Sequence, residues 1–144
     1  MIEYLLLDDH QTAPVGFTAY ATVERQYDFG DLVIFDAIST NIGNYYNADT
    51  SIFTCPCNGL YMFSFSFNVY IDSSHMYADI MIASQNVAGA FGVNRYSSAS
   101  ALAVTECDVG QTVWVQCTAD YSYMDGHNIH PTSHFSGVLL QAYV

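Results

Sequence analysis

An all-β antiparallel sandwich is the fold this sequence predicts, on three observations. The first is composition. Twelve Tyr and 9 Phe stand among 144 residues, with Val, Ile and Thr plentiful, and such side chains suit a pleated, half-buried surface. The second is periodicity. Across residues 59–71 the odd positions read Tyr61, Phe63, Phe65, Phe67, Val69 and Ile71, while the even ones include Ser64, Ser66 and Asn68. Strand side chains alternate between faces, so one face of this segment lies wholly in the core. The third is the lack of any sustained 3.6-residue apolar period, so no helix is expected. Many strands in one chain of this length resolve into a sandwich or jelly roll.

Strands are expected, in order, at residues 15–23, 32–35, 52–55, 59–71, 76–83, 87–93, 99–106, 112–119 and 135–144. Turn chemistry separates them: Asn-Ile-Gly-Asn at 41–44, Cys-Asn-Gly at 57–59, Ile-Asp-Ser-Ser at 71–74 and Val-Gly at 109–110. Residues 112–119 repeat the alternation, with Val113, Val115, Cys117 and Ala119 on one face. Trp114 falls on the other, among Thr112, Gln116 and Thr118, where it costs solubility unless something covers it. Residues 120–133 read as one irregular connection of fourteen residues, longer than a hairpin loop and of a length that is often functional. Residues 1–14 form an N-terminal extension in this reading, and 15–144 a single domain.

Charge excludes several partners. Arg25 and Arg95 are the only basic residues against fourteen acids, giving a net charge of −12 with no lysine. Such a chain repels a nucleic-acid backbone and an anionic membrane surface. Disorder is excluded by a charged fraction of 11% against 51% apolar residues. The longest apolar run, 60–71, is too short and too interrupted to insert into a membrane. No secretory signal is visible at the start, which reaches Asp8 and Asp9 without a basic region, so the expectation is a cytosolic chain or a mature form.

Four cysteines, Cys55, Cys57, Cys107 and Cys117, allow three intrachain pairings. Cys55 and Cys57 flank Pro56 and would each need a distant partner. A hairpin turn expected at 108–111 pairs Cys107 with about Thr112 and leaves Cys117 out of bridging reach. Buried free thiols stand as an equal reading, and the spacings do not match structural zinc sites.

Phe35, Asn41, Tyr46, Phe53, Gly59, Tyr61, Phe63 and Phe65 follow a spacing that closely resembles the signature of C1q globular-head domains. Phe17 to Ala19, Val109 to Val115 and Phe135 to Leu140 resemble further strands of that family, so the likeness covers nearly all of 15–144. It implies a ten-stranded antiparallel jelly roll of the C1q/tumour-necrosis-factor type that assembles as a compact homotrimer. A three-fold interface would then cover surplus aromatics, the outward Trp114 among them. Two positions depart from the family pattern: Ser51 replaces a glycine common two residues before Phe53, and Gln111 replaces an acid after Gly110. Many relatives bind calcium near the trimer axis through a loop that here reads Val-Asn-Arg-Tyr-Ser at 93–97. It offers no carboxylate and carries a fixed cation, so no calcium is expected there. With no Gly-X-Y run for a collagenous stalk, multivalency would come from the trimer or from disulfides between trimers.

No nucleophile elbow and no phosphate-binding loop is present, so no enzyme activity is expected. His127, His130 and His134 superficially resemble a metal motif, but Pro131 prevents one helix from presenting all three, and no metal cofactor is assigned. The same loop offers Asp120, Tyr121, Tyr123, Asp125, His127 and Asn128. Sugars need planar hydrogen-bond partners for their hydroxyl and acetamido groups and a flat aromatic surface for their ring faces, and these residue types supply both. Stalkless invertebrate relatives often act as lectins, some of them toward N-acetylated sugars. The expectation is therefore a secreted, metal-independent lectin of innate immunity, binding microbial glycans such as N-acetylhexosamines at those six residues. The alternative is a ligand for a receptor or other protein. With so few cations the sugar should be neutral.

Overall fold

A computed structural model describes residues 13–144 except Tyr70, so the expected extension at 1–14 lies almost entirely outside the described residues. Among them the chain forms twelve strands and no helix. They are β1 (Gly16–Tyr20), β2 (Arg25–Tyr27), β3 (Ala37–Ile42), β4 (Tyr46–Asn47), β5 (Ile52–Thr54) and β6 (Gly59–Asn68), then β7 (His75–Ile82), β8 (Gln85–Val93), β9 (Ser98–Cys107), β10 (Thr112–Cys117), β11 (Ser122–Met124) and β12 (His134–Ala142). They make two sheets. One has the order β3-β1-β12-β6-β9; the other runs β2-β11-β7-β10-β5-β4, with β8 on the free side of β7. The expected all-β sandwich is the observed one.

Alternation locates the core. β6 buries each odd-numbered side chain and half-exposes each even one, and β10 does the same with Val113, Val115 and Cys117. Between the sheets Phe17 of β1 stacks on Tyr46 at 4.7 Å and on Phe53 at 4.9 Å, and meets Phe135 edge-on at 4.9 Å. Two of these rings come from one sheet and two from the other, so the cluster ties the layers together.

Four short or exposed strands escaped the sequence reading. β2, β4 and β11 are too short to show a period. β3 is an edge strand whose side chains all remain exposed or half-exposed, so it has no apolar alternation to read. The strand expected at 32–35 is instead a single bridge, Leu32 to Gln116, reinforced by the Val33 amide donating to Val115 oxygen at 2.8 Å. The turn at 108–111 does not close a hairpin. β9 pairs with β6 and β10 with β7, so this turn crosses between sheets. It releases Cys107 to form a disulfide with Cys55, 6.5 Å away between Cα atoms. Cys57 and Cys117 remain thiols, the first half-buried and the second buried.

Trp114 does not lie on the apolar outer face. That face belongs to the first sheet, where Val138, Met62 and Val104 form one cross-strand row and Leu102 and Val104 stay exposed. Trp114 sits on the outside of the second sheet, half-buried, its indole N–H donating to Gln116 Oε1 at 3.2 Å.

Truncating Phe17 to Ala should cost about 3–5 kcal/mol in denaturant-induced unfolding, because one ring contacts three others across the core. Opening the disulfide with Cys55→Ser and Cys107→Ser should cost up to about 4 kcal/mol in the same measurement, the chain-entropy value for its 52-residue separation.

Candidate functional site

Two turns grip each other at one end of the second sheet. The Phe29 amide donates to Asp120 Oδ1 at 2.9 Å, and the Tyr121 amide donates to Asp28 Oδ1 at 3.1 Å. Asp31 Oδ2 accepts from the Asp28 amide at 2.8 Å. Each turn thus supplies the carboxylate that caps the other, and charge-assisted bonds of this kind are about twice as strong as neutral ones. The Phe29 and Tyr121 rings are pushed outward, 69% and 67% exposed. Tyr121 takes a left-handed backbone, φ 56°, a conformation a bulky residue holds only when its surroundings impose it. The Asp120 carbonyl accepts from His75 Nε2 at 2.9 Å, which places the proton of a neutral His75 on that nitrogen.

The six sequence-predicted residues do not form one surface. Asp120 and Tyr121 stand at the crossed turns. Tyr123 lies on β11, half-exposed between buried Ser122 and Met124, beside Gln26 of β2. Asp125 is occupied in holding the loop: its amide donates to Asn68 oxygen at 2.8 Å, Oδ1 accepts the Gly126 amide and Oδ2 the Thr132 hydroxyl. Gly126 presses onto the Val23 backbone, where a Cβ would come within 2.3 Å of the carbonyl oxygen. His127 is exposed, and its Nδ1 accepts the amides of Ile129 and His130 at 3.0 and 3.2 Å. Asn128 is exposed at the loop tip. The connection 120–133 is therefore not irregular throughout, since β11 is built into it and pairs with β2 and β7.

Sequence reasoning missed Asp28, Phe29, Asp31 and His75. An aromatic between acids at 28–31 was the available signal, but nothing local joins it to Asp120. Beyond β2 a groove of about 470 Å³ is lined by Arg25, Gln26, Tyr27, Asp31, Leu32 and Ile34. Burial pushes the Tyr27 phenol up to about 12, so it stays neutral, and its oxygen accepts the Ile34 amide at 3.0 Å.

A model of the C1q domain matches residues 16–140. The chain belongs to the C1q domain family. Among curated proteins, human complement C1q tumor necrosis factor-related protein 3 is 29% identical over 87 residues, 58% of this chain and 35% of that protein. Zebrafish Caprin-2 is 29% identical over 111 residues, 75% of this chain and 12% of that protein. The C1q domain described here thus spans about a third or less of the length of these relatives. Among solved structures, the globular domain of zebrafish complement 1qA superposes with a TM-score of 0.72 at 17% identity, covering 90% of this chain and 99% of that one. The Eiger tumour necrosis factor of S. frugiperda gives 0.77 at 10% identity over 92% and 96%. These likenesses are of fold.

The signature positions now have physical roles in this C1q domain. Asn41 brackets Tyr46, donating from Nδ2 to its carbonyl and accepting its amide at Oδ1. The Tyr46 hydroxyl donates to Phe35 oxygen at 2.7 Å, and burial pushes this phenol up to about 12. Ser51, standing at the family's glycine position, has φ 59°, and its hydroxyl accepts the Phe35 amide at 2.9 Å. A Cβ on Gly59 would lie 2.6 Å from Gln141 oxygen, so β6 and β12 can approach there only without a side chain. In the loop at 93–97, Arg95 pairs with Asp72 at 3.8 Å and lies 4.8 Å over the Tyr96 ring. Among the described residues no three His, Cys, Asp or Glu side chains converge as metal ligands.

His134 sits on β12 opposite Ser66 and Tyr20, and the His127 and His130 rings lie 5.2 Å apart. The His134 Nδ1 is buried with no hydrogen-bond partner among the described residues, and burial lowers its pKa below the ordinary 6.5. The unfolded chain therefore takes up this proton first as pH falls. The His134 contribution to stability should be complete above about pH 7 and decline through pH 6.5 toward the lowered folded value. His134→Gln should flatten this part of the pH dependence of the denaturation midpoint.

Proposed function

We propose that this C1q domain is a secreted, homotrimeric, metal-independent lectin of innate immunity that recognises neutral or N-acetylated sugars on microbial surfaces. The observation that carries the reading is the crossed pair of turns, which presents two exposed rings, Phe29 and Tyr121, beside Asp28 and Asp120. A sugar stacks one apolar face on a ring and shares its hydroxyls with adjacent carboxylate oxygens. Tyr123 follows on β11, and His127 and Asn128 lie on the loop beyond its far end. Asp125 serves it indirectly by fixing the loop. The acids around the rings and the net charge of −12 favour an uncharged ligand.

Trimerisation is supported by the apolar row of Val138, Met62 and Val104 on the outer face of the first sheet. Burial of that row against neighbouring copies would leave the crossed turns of the second sheet free. A trimer would carry about −36, three times −12, and multiply weak single-site binding. The Cys55–Cys107 disulfide suits an oxidising compartment. No helix among the described residues is long and apolar enough to cross a membrane. Cys57, half-buried, is the thiol left for a bridge between trimers, since Cys117 is buried.

Tyr121→Ala and Phe29→Ala should each weaken single-site affinity for N-acetylhexosamines roughly tenfold, the worth of one ring contact. The trimer should persist in light scattering, and a chelator should change nothing. Retention of both variants on immobilised sugar at wild-type strength would sink the site. Capture by a protein partner, with no response on a glycan array, would favour the receptor-ligand alternative.

A further inference from the structure

The crossed turns do not end the aromatic surface. His75, bonded to the Asp120 carbonyl, meets Tyr77 edge-on with ring centroids 5.4 Å apart. Tyr77 in turn stacks on Phe91 of β8 at 5.0 Å and 10°. The outward side chains of β7 continue from there, and register gives each a cross-strand row. Tyr77 faces Phe91; Asp79 lies between Gln116 and Gly89; Met81, itself covered, lies between Trp114 and Asn86. Between the two ring-bearing rows stands a polar one. Asp79 Oδ2 accepts from Asn86 Nδ2 at 2.6 Å, which fixes the carboxylate. A Cβ on Gly89 would come within 2.0 Å of Asp79 Oδ1, so glycine alone lets that carboxylate lie flat across β8.

This strip is built in a way the core does not require. Phe91 is 61% exposed. β8 hydrogen-bonds only with β7, so it is an edge strand of this sheet. A large apolar ring in that position costs solubility without adding to the interior. Neither arginine belongs to these rows. The backbone of β7 is already paired on both sides, by β8 and β10, so an added peptide strand finds no main-chain partners there. Recognition along β7 has to use ring faces and planar side-chain acceptors, the two features a neutral sugar needs.

We propose that the ligand is a linear, uncharged oligosaccharide rather than a single terminal sugar, lying along the outward face of β7. One end rests at Phe29 and Tyr121, the middle crosses His75, Tyr77 and Phe91, and the far end reaches Asp79, Gln116 and Trp114. His75 to Met81 spans six residue steps, about 20 Å of strand, which one sugar ring cannot cover. The inference rests on the lectin reading and extends its site.

The test uses N-acetylglucosamine oligomers of one to six units, titrated into the intact protein. Affinity should rise with length. Phe91→Ala and Asp79→Asn should each weaken hexamer binding roughly tenfold and leave monomer binding unchanged, while Tyr121→Ala weakens both. Trp114 is the chain's single tryptophan, so its emission should shift with the hexamer and not with the monomer. Circular dichroism and thermal melts confirm that each variant folds, and both substituted side chains lie on the surface. Affinity independent of length, or hexamer binding untouched by Phe91→Ala and Asp79→Asn, overturns the extended track and leaves the single-sugar site standing. Failure of the wild-type protein to bind any oligomer overturns both readings.

Discussion

The contact of Phe17 with Tyr46, Phe53 and Phe135 is the interaction on which the rest of the molecule depends. Each sheet of a sandwich has one face that must leave water, and stability comes from burying those two faces against each other. Phe17 and Phe135 reach inward from neighbouring strands of the first sheet, and Tyr46 and Phe53 from neighbouring strands of the second. Their near-parallel and edge-on geometries hold the layers in one registry. Tyr46 brings a polar hydroxyl into this cluster, and its bond to the Phe35 carbonyl keeps that group from being buried without a partner.

Around that cluster the chain satisfies the segments that carry no regular pairing. Asn41 closes the backbone at Tyr46, Ser51 meets the Phe35 amide, and the disulfide ties the end of β5 to the end of β9. The crossed turns at 28–31 and 118–121 are the same device at the surface, with carboxylates in place of amide and hydroxyl groups. Their rings stay outside the core: Phe29 and Tyr121 face solvent, whereas Tyr27 of β2 and Met124 of β11 are buried.

Much of the scaffold was legible in the linear order. β6 and β10 showed their period because each has one face in the core and one outside, the condition under which alternation appears. β3 did not, because an edge strand with both faces open places no demand on side-chain polarity. The residues at 32–35 looked like a strand because Val33 and Phe35 are both core, yet the chain there makes only one bridge. The cysteine pairing stayed open because the turn at 108–111 can close a hairpin or cross between sheets, and local sequence does not distinguish the two. In the candidate site the residue types at Asp120, Tyr121 and Asp125 were legible, but what the carboxylates hold was not. In the fold Asp120 caps the Phe29 amide and Asp125 is engaged by Gly126 and Thr132.

By itself the sequence determined the all-β class, the inward face of the longest strands, the family signature, and a net charge of −12. All of these follow from residue type and short-range spacing. Tertiary structure alone decided which acids cap which turns, that Cys55 meets Cys107, that His75 reaches the Asp120 carbonyl and that Phe91 stacks on Tyr77. The physical reason is separation along the chain. Phe29 and Asp120 are 91 positions apart, and a bond across that distance arises only when the core has already fixed where each turn emerges.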